Sequence, residues 1–183
     1  MITSAKEQFL LNQLFNMTLT ATVQRSSTYR KNTTEKDRVD FRRDLQMSLI
    51  SLSEQYRESV SEAMHCKNIE ALAKKLSEKH GDVLHARRFR IGSAQKALNL
   101  YLKYMWCLER VAMPPHCPID GIILDKVAKA TDYKKTAWTK LDSITEYEEI
   151  ISKAKEVAGK SPLSEWEIQF YNTTQPNNRP NAS

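Results

Sequence analysis

The stretch Ala94–Leu108, AQKALNLYLKYMWCL, constrains the fold most, because it carries no glycine or proline and is apolar on most sides. A helix that is apolar nearly all round has to be buried at the centre of a helical assembly. Just before it, Gly92 supplies permissive backbone for a turn and Ser93 is a good N-cap. The polar positions Lys96, Asn99, Lys103 and Arg110 recur at helical intervals and form one stripe. Lys96 stands in the first turn, where the helix dipole already carries positive charge, so a cation there costs helix stability.

The segment that follows, VAMPPHCPID, is stiffened by Pro114, Pro115 and Pro118. A helix from Ser93 to Arg110 is about 27 Å long. Val111–Ile119 spans about 28 Å in polyproline II form, enough to run back along the whole helix. Asp120, placed to open the next helix, then lies beside Lys96. A lysine and a helix-capping aspartate brought together make a candidate catalytic pair. Spacing alone equally allows Asp120 to be only an N-cap and Lys96 only a solvated first-turn residue, and favours that plainer account.

The segments GSAQKALNLYLK and PPHCPIDGIIL together resemble the helix-hairpin-helix DNA glycosylase superfamily, nearest its archaeal 8-oxoguanine glycosylase branch. In that branch a Gln-Lys pair opens the helix and a proline-rich segment carries the aspartate. The likeness covers Arg90 to about Val127, with a Trp-bearing last helix as weaker support. The usual two-glycine hairpin is reduced here to Ile91-Gly92-Ser93. The resemblance implies an all-α, helix-hairpin-helix glycosylase-like fold with two helical lobes around the central buried helix. It implies a DNA glycosylase that excises a damaged or modified base, with Lys96 as nucleophile and Asp120 as its partner. Lyase activity through a lysine Schiff base would accompany excision in a bifunctional enzyme. No cofactor is implied. The resemblance implies an oxidised purine, 8-oxoguanine, as the default substrate; a modified viral base such as glucosylated hydroxymethylcytosine, which no motif carries, is a further candidate that would make the enzyme antiviral. A non-enzymatic helical nucleic-acid-binding protein and a helical protein-interaction adaptor are the competing readings.

Charge distribution fits a nucleic-acid partner. The formal net charge is +6 over 183 residues. From Lys79 to Arg110 seven Lys/Arg face two acids, whereas Leu141–Ser183 holds four against seven, so positive charge gathers around the proposed chemistry. DNA contacts are expected from backbone N–H groups of Gly92, Ser93 and Ala94, acting as a helix-terminus phosphate site, and from Arg87, Arg88, Arg90 and Lys103. A base pocket needs aromatic faces and polar edges. Trp166, Trp138, His116 and Tyr101 are the candidates, although a core role is the stronger single expectation for each.

Along the rest of the chain, Thr3 to about Gln24 reads as a helix with Phe9, Leu10, Leu14, Met17 and Val23 at helical spacing. Lys36 to about Arg57 is a second, with Val39, Phe41, Leu45, Leu49, Leu52 and Tyr56 facing inward. Asn68 caps a third through Lys79, ended by Gly81. Asp82–Arg90 is either a first hairpin helix or an irregular lead-in. Ser143 with Glu146 forms a capping box, and Ser161-Pro162 opens the last helix. Residues 1–171 form a single helical domain and 172–183 a disordered polar tail. Three cysteines do not make a disulfide framework, and no apolar run approaches a membrane span, so a cytoplasmic monomer without membrane partner or metal is the expectation. The dipeptides His65-Cys66 and His116-Cys117 are poorly arranged for zinc.

Overall fold

The computed structural model describes residues 4–24 and 26–174. Among them the chain is all-helical: α1 (Ala5–Leu19), α2 (Glu35–Ser53), α3 (Glu62–His80), α4 (Ile91–Cys107), α5 (Gly121–Ala130), α6 (Ile144–Ala158) and α7 (Leu163–Thr174). A single isolated bridge, Tyr29 with Leu84, is the only β pairing among the described residues. Helix α4 is central. Every residue from Ile91 to Leu102 is buried, with α1, α2 and α3 packed against it. Helix α6 packs on α3, α4, α5 and α7. No described helix is long and apolar enough to cross a membrane.

Local signals explain most helix starts. Ser4 and Glu7 form a capping box for α1, and Thr34, Ser61, Asp120 and Ser143 cap α2, α3, α5 and α6 through their side-chain oxygens. Ser143 accepts from the Thr145 N–H, and Glu146 does not complete the expected box. Ser61 rather than Asn68 starts α3; Asn68 lies inside the helix and donates to the Tyr56 hydroxyl at 3.1 Å.

Several sequence expectations are corrected by packing. Helix α1 stops at Leu19 and continues as a π-turn over Thr20–Gln24. Phe9, Leu10 and Met17 face outward, while Phe15 and Thr18 are buried and Leu11 and Leu14 pack on the core. Val39 is half exposed because it lies on the opposite face from the Phe41–Leu45–Leu49 stripe. Helix α7 includes residues 172–174, which were expected in the tail; residues 175–183 lie outside the described residues.

The approach to α4 differs most. Asp82–Arg90 contains only a three-residue 3-10 turn, His85–Arg87, with left-handed backbone at Ala86 (φ 52°) and Arg87 (φ 57°). The helix is capped at Arg90, so Gly92 and Ser93 sit in its first turn and not ahead of it. Gly92 is needed for close approach. A Cβ there would lie 1.8 Å from the Trp138 carbonyl oxygen, and its N–H donates to Leu141 O at 2.9 Å.

At the other end, α4 closes at Cys107, and Glu109 in left-handed conformation (φ 58°) reverses the chain. Arg110 therefore falls beyond the helical stripe, where it pairs with Glu7.

Candidate active site

The return segment after Glu109 is stitched to α4 by polar side chains of the helix. Asn99 Nδ2 donates to Cys117 O at 3.1 Å. Gln95 Nε2 donates to Ile119 O at 2.7 Å, and Gln95 Oε1 accepts from Ile119 N–H at 3.1 Å. That two-point amide clamp fixes the residue before Asp120. Lys96 Nζ then lies 2.7 Å from Asp120 Oδ2. The other carboxylate oxygen of Asp120 accepts the Ile122 and Ile123 N–H groups at 3.0 and 3.1 Å, so one side chain both caps α5 and pairs with the lysine. From the far end, Ser164 of α7 donates to Pro114 O at 2.7 Å and ties the loop to the last helix.

The electrostatics of the pair are those of a covered site. The Lys96 side chain is 6% exposed and that of Asp120 27%. Burial pushes the Lys96 amine below its ordinary pKa, with Asp120 opposing the shift. Burial alone would raise Asp120, but Lys96 and the α5 N–H groups outweigh it and hold the carboxyl below its usual range. The indole of Trp138 sits 5.7 Å from Lys96 Nζ, a cation–π distance. Asp120 is the more exposed partner of the pair, and Trp138 lies against the amine.

The polar stripe of α4 continues in register. Asn99 is at the middle of a buried chain of hydrogen bonds. The Tyr56 hydroxyl meets His65 Nδ1 at 2.7 Å, and His65 Nε2 meets Asn99 Oδ1 at 2.8 Å. Because the Asn99 oxygen only accepts, His65 carries its proton on Nε2 and Tyr56 donates to Nδ1. Asn99 Nδ2 donates to the Tyr147 hydroxyl at 3.0 Å, and that hydroxyl shares a hydrogen bond with His116 Nδ1 at 3.0 Å. Burial pushes both His65 and His116 down to about 3, so both are neutral. Lys103, one turn further, forms a forked contact with both oxygens of Glu167 at 2.9 Å.

The remaining candidates separate clearly. Lys103 is committed to Glu167, with side-chain exposures of 14% and 9%, and is not available to a phosphate. The N–H groups of Gly92, Ser93 and Ala94 donate to Leu141 O, Arg90 O and Arg90 O, so the expected backbone phosphate site is occupied by the chain itself. Arg87 pairs with Asp82 at 2.7 Å, Arg88 with Asp142 at 2.6 Å, and Arg90 approaches Asp142 only to 3.9 Å.

Of the aromatic candidates, Trp138 meets the pair. Trp166 stacks with Phe170 under Lys126, whose amine lies 5.3 Å from the indole and 3.6 Å from the phenyl ring. His116 and Tyr101 are buried core residues; Tyr101 lies five residues after Lys96, well round the helix from it. Sequence reasoning named Gln95 only as half of the Gln-Lys pair and Asn99 only as part of the polar stripe, and did not single out Tyr147 or Glu167. For Asn99 the stripe was a usable signal; for Glu167 only the fold brings the partner.

No group of three or more His, Cys, Asp or Glu among the described residues is placed to hold a metal ion. Comparison with protein-family models, curated proteins and solved structures finds no match.

Proposed function

We propose that this protein is a DNA glycosylase of helix-hairpin-helix type, in which Lys96 is the nucleophile and Asp120 its electrostatic partner. The observation that supports the reading is the buried lysine amine 2.7 Å from the capping carboxylate, held there by the Gln95 clamp. As the glycosidic bond of a flipped nucleotide breaks, the base leaves with the bonding electron pair. The Asp120 carboxylate stabilises the positive charge that develops on the sugar. A neutral Lys96 amine then attacks C1′, forming the N–C1′ bond and losing a proton. Burial, by lowering the amine's pKa, favours the neutral form that this step requires. Opening of the sugar gives a Schiff base, from which loss of the C2′ proton eliminates the 3′ phosphate and cleaves the strand. The substrate class proposed is a modified base in DNA, an oxidised purine or a glucosylated hydroxymethylcytosine, excised to leave an abasic site.

The test is borohydride trapping on duplex DNA that contains an abasic site, with base release followed on a panel of oxidised and glucosylated bases. The expected result is a covalent adduct that Lys96→Gln abolishes, and base release that Asp120→Asn reduces about 100-fold or more. An adduct that survives Lys96→Gln would remove the lysine from its role. Absence of both adduct and base release across the panel would refute the glycosylase reading.

A further inference from the structure

His65 is a buried titratable group that the proposed chemistry leaves unused. It belongs to α3, yet its imidazole leads by side-chain hydrogen bonds to the residue that holds Asp120 in place. His65 Nε2 meets Asn99 Oδ1 at 2.8 Å, and Asn99 Nδ2 donates to Gln95 Oε1 at 3.2 Å. Gln95 in turn grips Ile119 at both its N–H and its carbonyl, and Asp120 is the next residue. His65, Asn99 and Gln95 are all fully buried, so bulk solvent offers none of them a substitute partner.

The chain runs in one direction only. Gln95 Nε2 faces two carbonyls, Gly92 O at 3.0 Å and Ile119 O at 2.7 Å, while its oxygen faces the Ile119 N–H at 3.1 Å. Asn99 Nδ2 faces Cys117 O at 3.1 Å as well as the Gln95 oxygen. Turning either amide would set oxygen against carbonyl oxygen, so the backbone fixes both orientations. The Asn99 oxygen is then left for His65, which must supply the N–H. Burial keeps that imidazole neutral, with a single N–H to give. Tyr56 accepts from Asn68 at 3.1 Å and has its own proton free for His65 Nδ1, which leaves the imidazole proton on Nε2. Without that donor the Asn99 oxygen is a buried orphan, and turning the amide to relieve it gives up the bonds to Cys117 O and to Gln95.

We propose that His65 is a positioning residue for the Lys96–Asp120 pair: through Asn99 and Gln95, its Nε2–H holds the return segment where Asp120 meets the amine. The donor on α3 thereby sets the geometry of a site built by α4 and α5. A shift of the return segment of even 1 Å or so would misplace the carboxylate relative to the lysine, and errors of that size are costly in catalysis. The effect on base excision rests on the glycosylase reading, whereas the placement of Asp120 by this chain does not.

The readouts are hydrogen exchange of the Ile119, Ile122 and Ile123 amides, which the Gln95 clamp and the Asp120 cap engage, and the rate of borohydride-trapped adduct on an abasic duplex. Variants of the full chain are compared with the wild type. His65→Gln reaches as far as Nε2 and keeps a donor there, whereas His65→Asn is one carbon shorter and reaches only the Nδ1 position. Tyr56→Phe removes the hydroxyl on the other side of the ring and spares the bond to Asn99. His65→Asn should raise exchange at those amides about tenfold. It should also slow trapping by about 100-fold with duplex affinity unchanged. His65→Gln and Tyr56→Phe should stay near the wild type in both readouts. Equal behaviour of His65→Gln and His65→Asn would reduce His65 to core packing and overturn the proposal. In the wild type, imidazole nitrogen spectra of the isotope-labelled chain should show His65 as the Nε2–H tautomer; the Nδ1–H tautomer would refute the chain without any variant. No adduct from the wild type would remove the glycosylase reading, and the exchange comparison and the tautomer would still decide the role of His65.

Discussion

Gly92→Ala is the sharpest test of how the site is assembled. In an ordinary helix the change is favourable, because alanine exceeds glycine in helix propensity by about 1 kcal/mol. Here the new Cβ would sit 1.8 Å from Trp138 O, 3.0 Å from Trp138 C and 3.1 Å from Leu141 Cβ. Restoring even a 3.0 Å contact moves the carbonyl by about 1.2 Å. That carbonyl is backbone, and it accepts the Leu141 N–H at 3.2 Å, while Leu141 O in turn accepts the Gly92 N–H at 2.9 Å. Overpacking costs about 1–3 kcal/mol, and a weakened hydrogen bond about 1 kcal/mol. After the propensity gain, the expected net loss is about 1–3 kcal/mol. The assay is urea unfolding by circular dichroism, with Gly121→Ala as the control. A Cβ at Gly121 meets nothing within 4 Å, so its substitution should be neutral or stabilising. The Trp138 indole resonance should shift in the first variant and not in the second. A Gly92→Ala protein as stable as wild type would refute the close-approach argument, and with it the account of how Trp138 is seated over Lys96.

Two further outcomes follow from the buried polar groups. His65 and His116 are held near a pKa of about 3, against 6.5 in the unfolded chain, so between those values the unfolded state binds more protons and stability must fall as pH is lowered. Each should add about 1.4 kcal/mol per pH unit to the slope once pH is below the unfolded value, and His116→Asn should roughly halve that slope; urea midpoints that stay level from neutral pH to pH 5 would contradict it. For the Lys103–Glu167 pair, Glu167→Leu alone should cost about 3–5 kcal/mol by leaving a buried amine unpaired, whereas adding Lys103→Met should recover most of the loss. Equal instability of single and double variants in thermal melts would show that packing, not charge, sets the cost.

What the sequence by itself determined is local or length-limited. The apolar run Ala94–Leu108 required a buried central helix, whichever helices covered it. Asp120 announced a helix start, and the length of the proline-stiffened return was enough to bring it back to Lys96. The polar stripe Lys96–Asn99–Lys103 was also readable, since helical period alone places those residues on one line. The tertiary structure decided what each of them meets. Lys103 faces an acid 64 residues away, and Asn99 a tyrosine 48 residues away, separations over which no periodicity carries information. Gly92 shows the same limit from the other side. As a letter it signals a turn, because glycine's backbone freedom is a local property. Its actual role is to lack a side chain where the Trp138 carbonyl presses on the helix, and only the folded chain brings that carbonyl there.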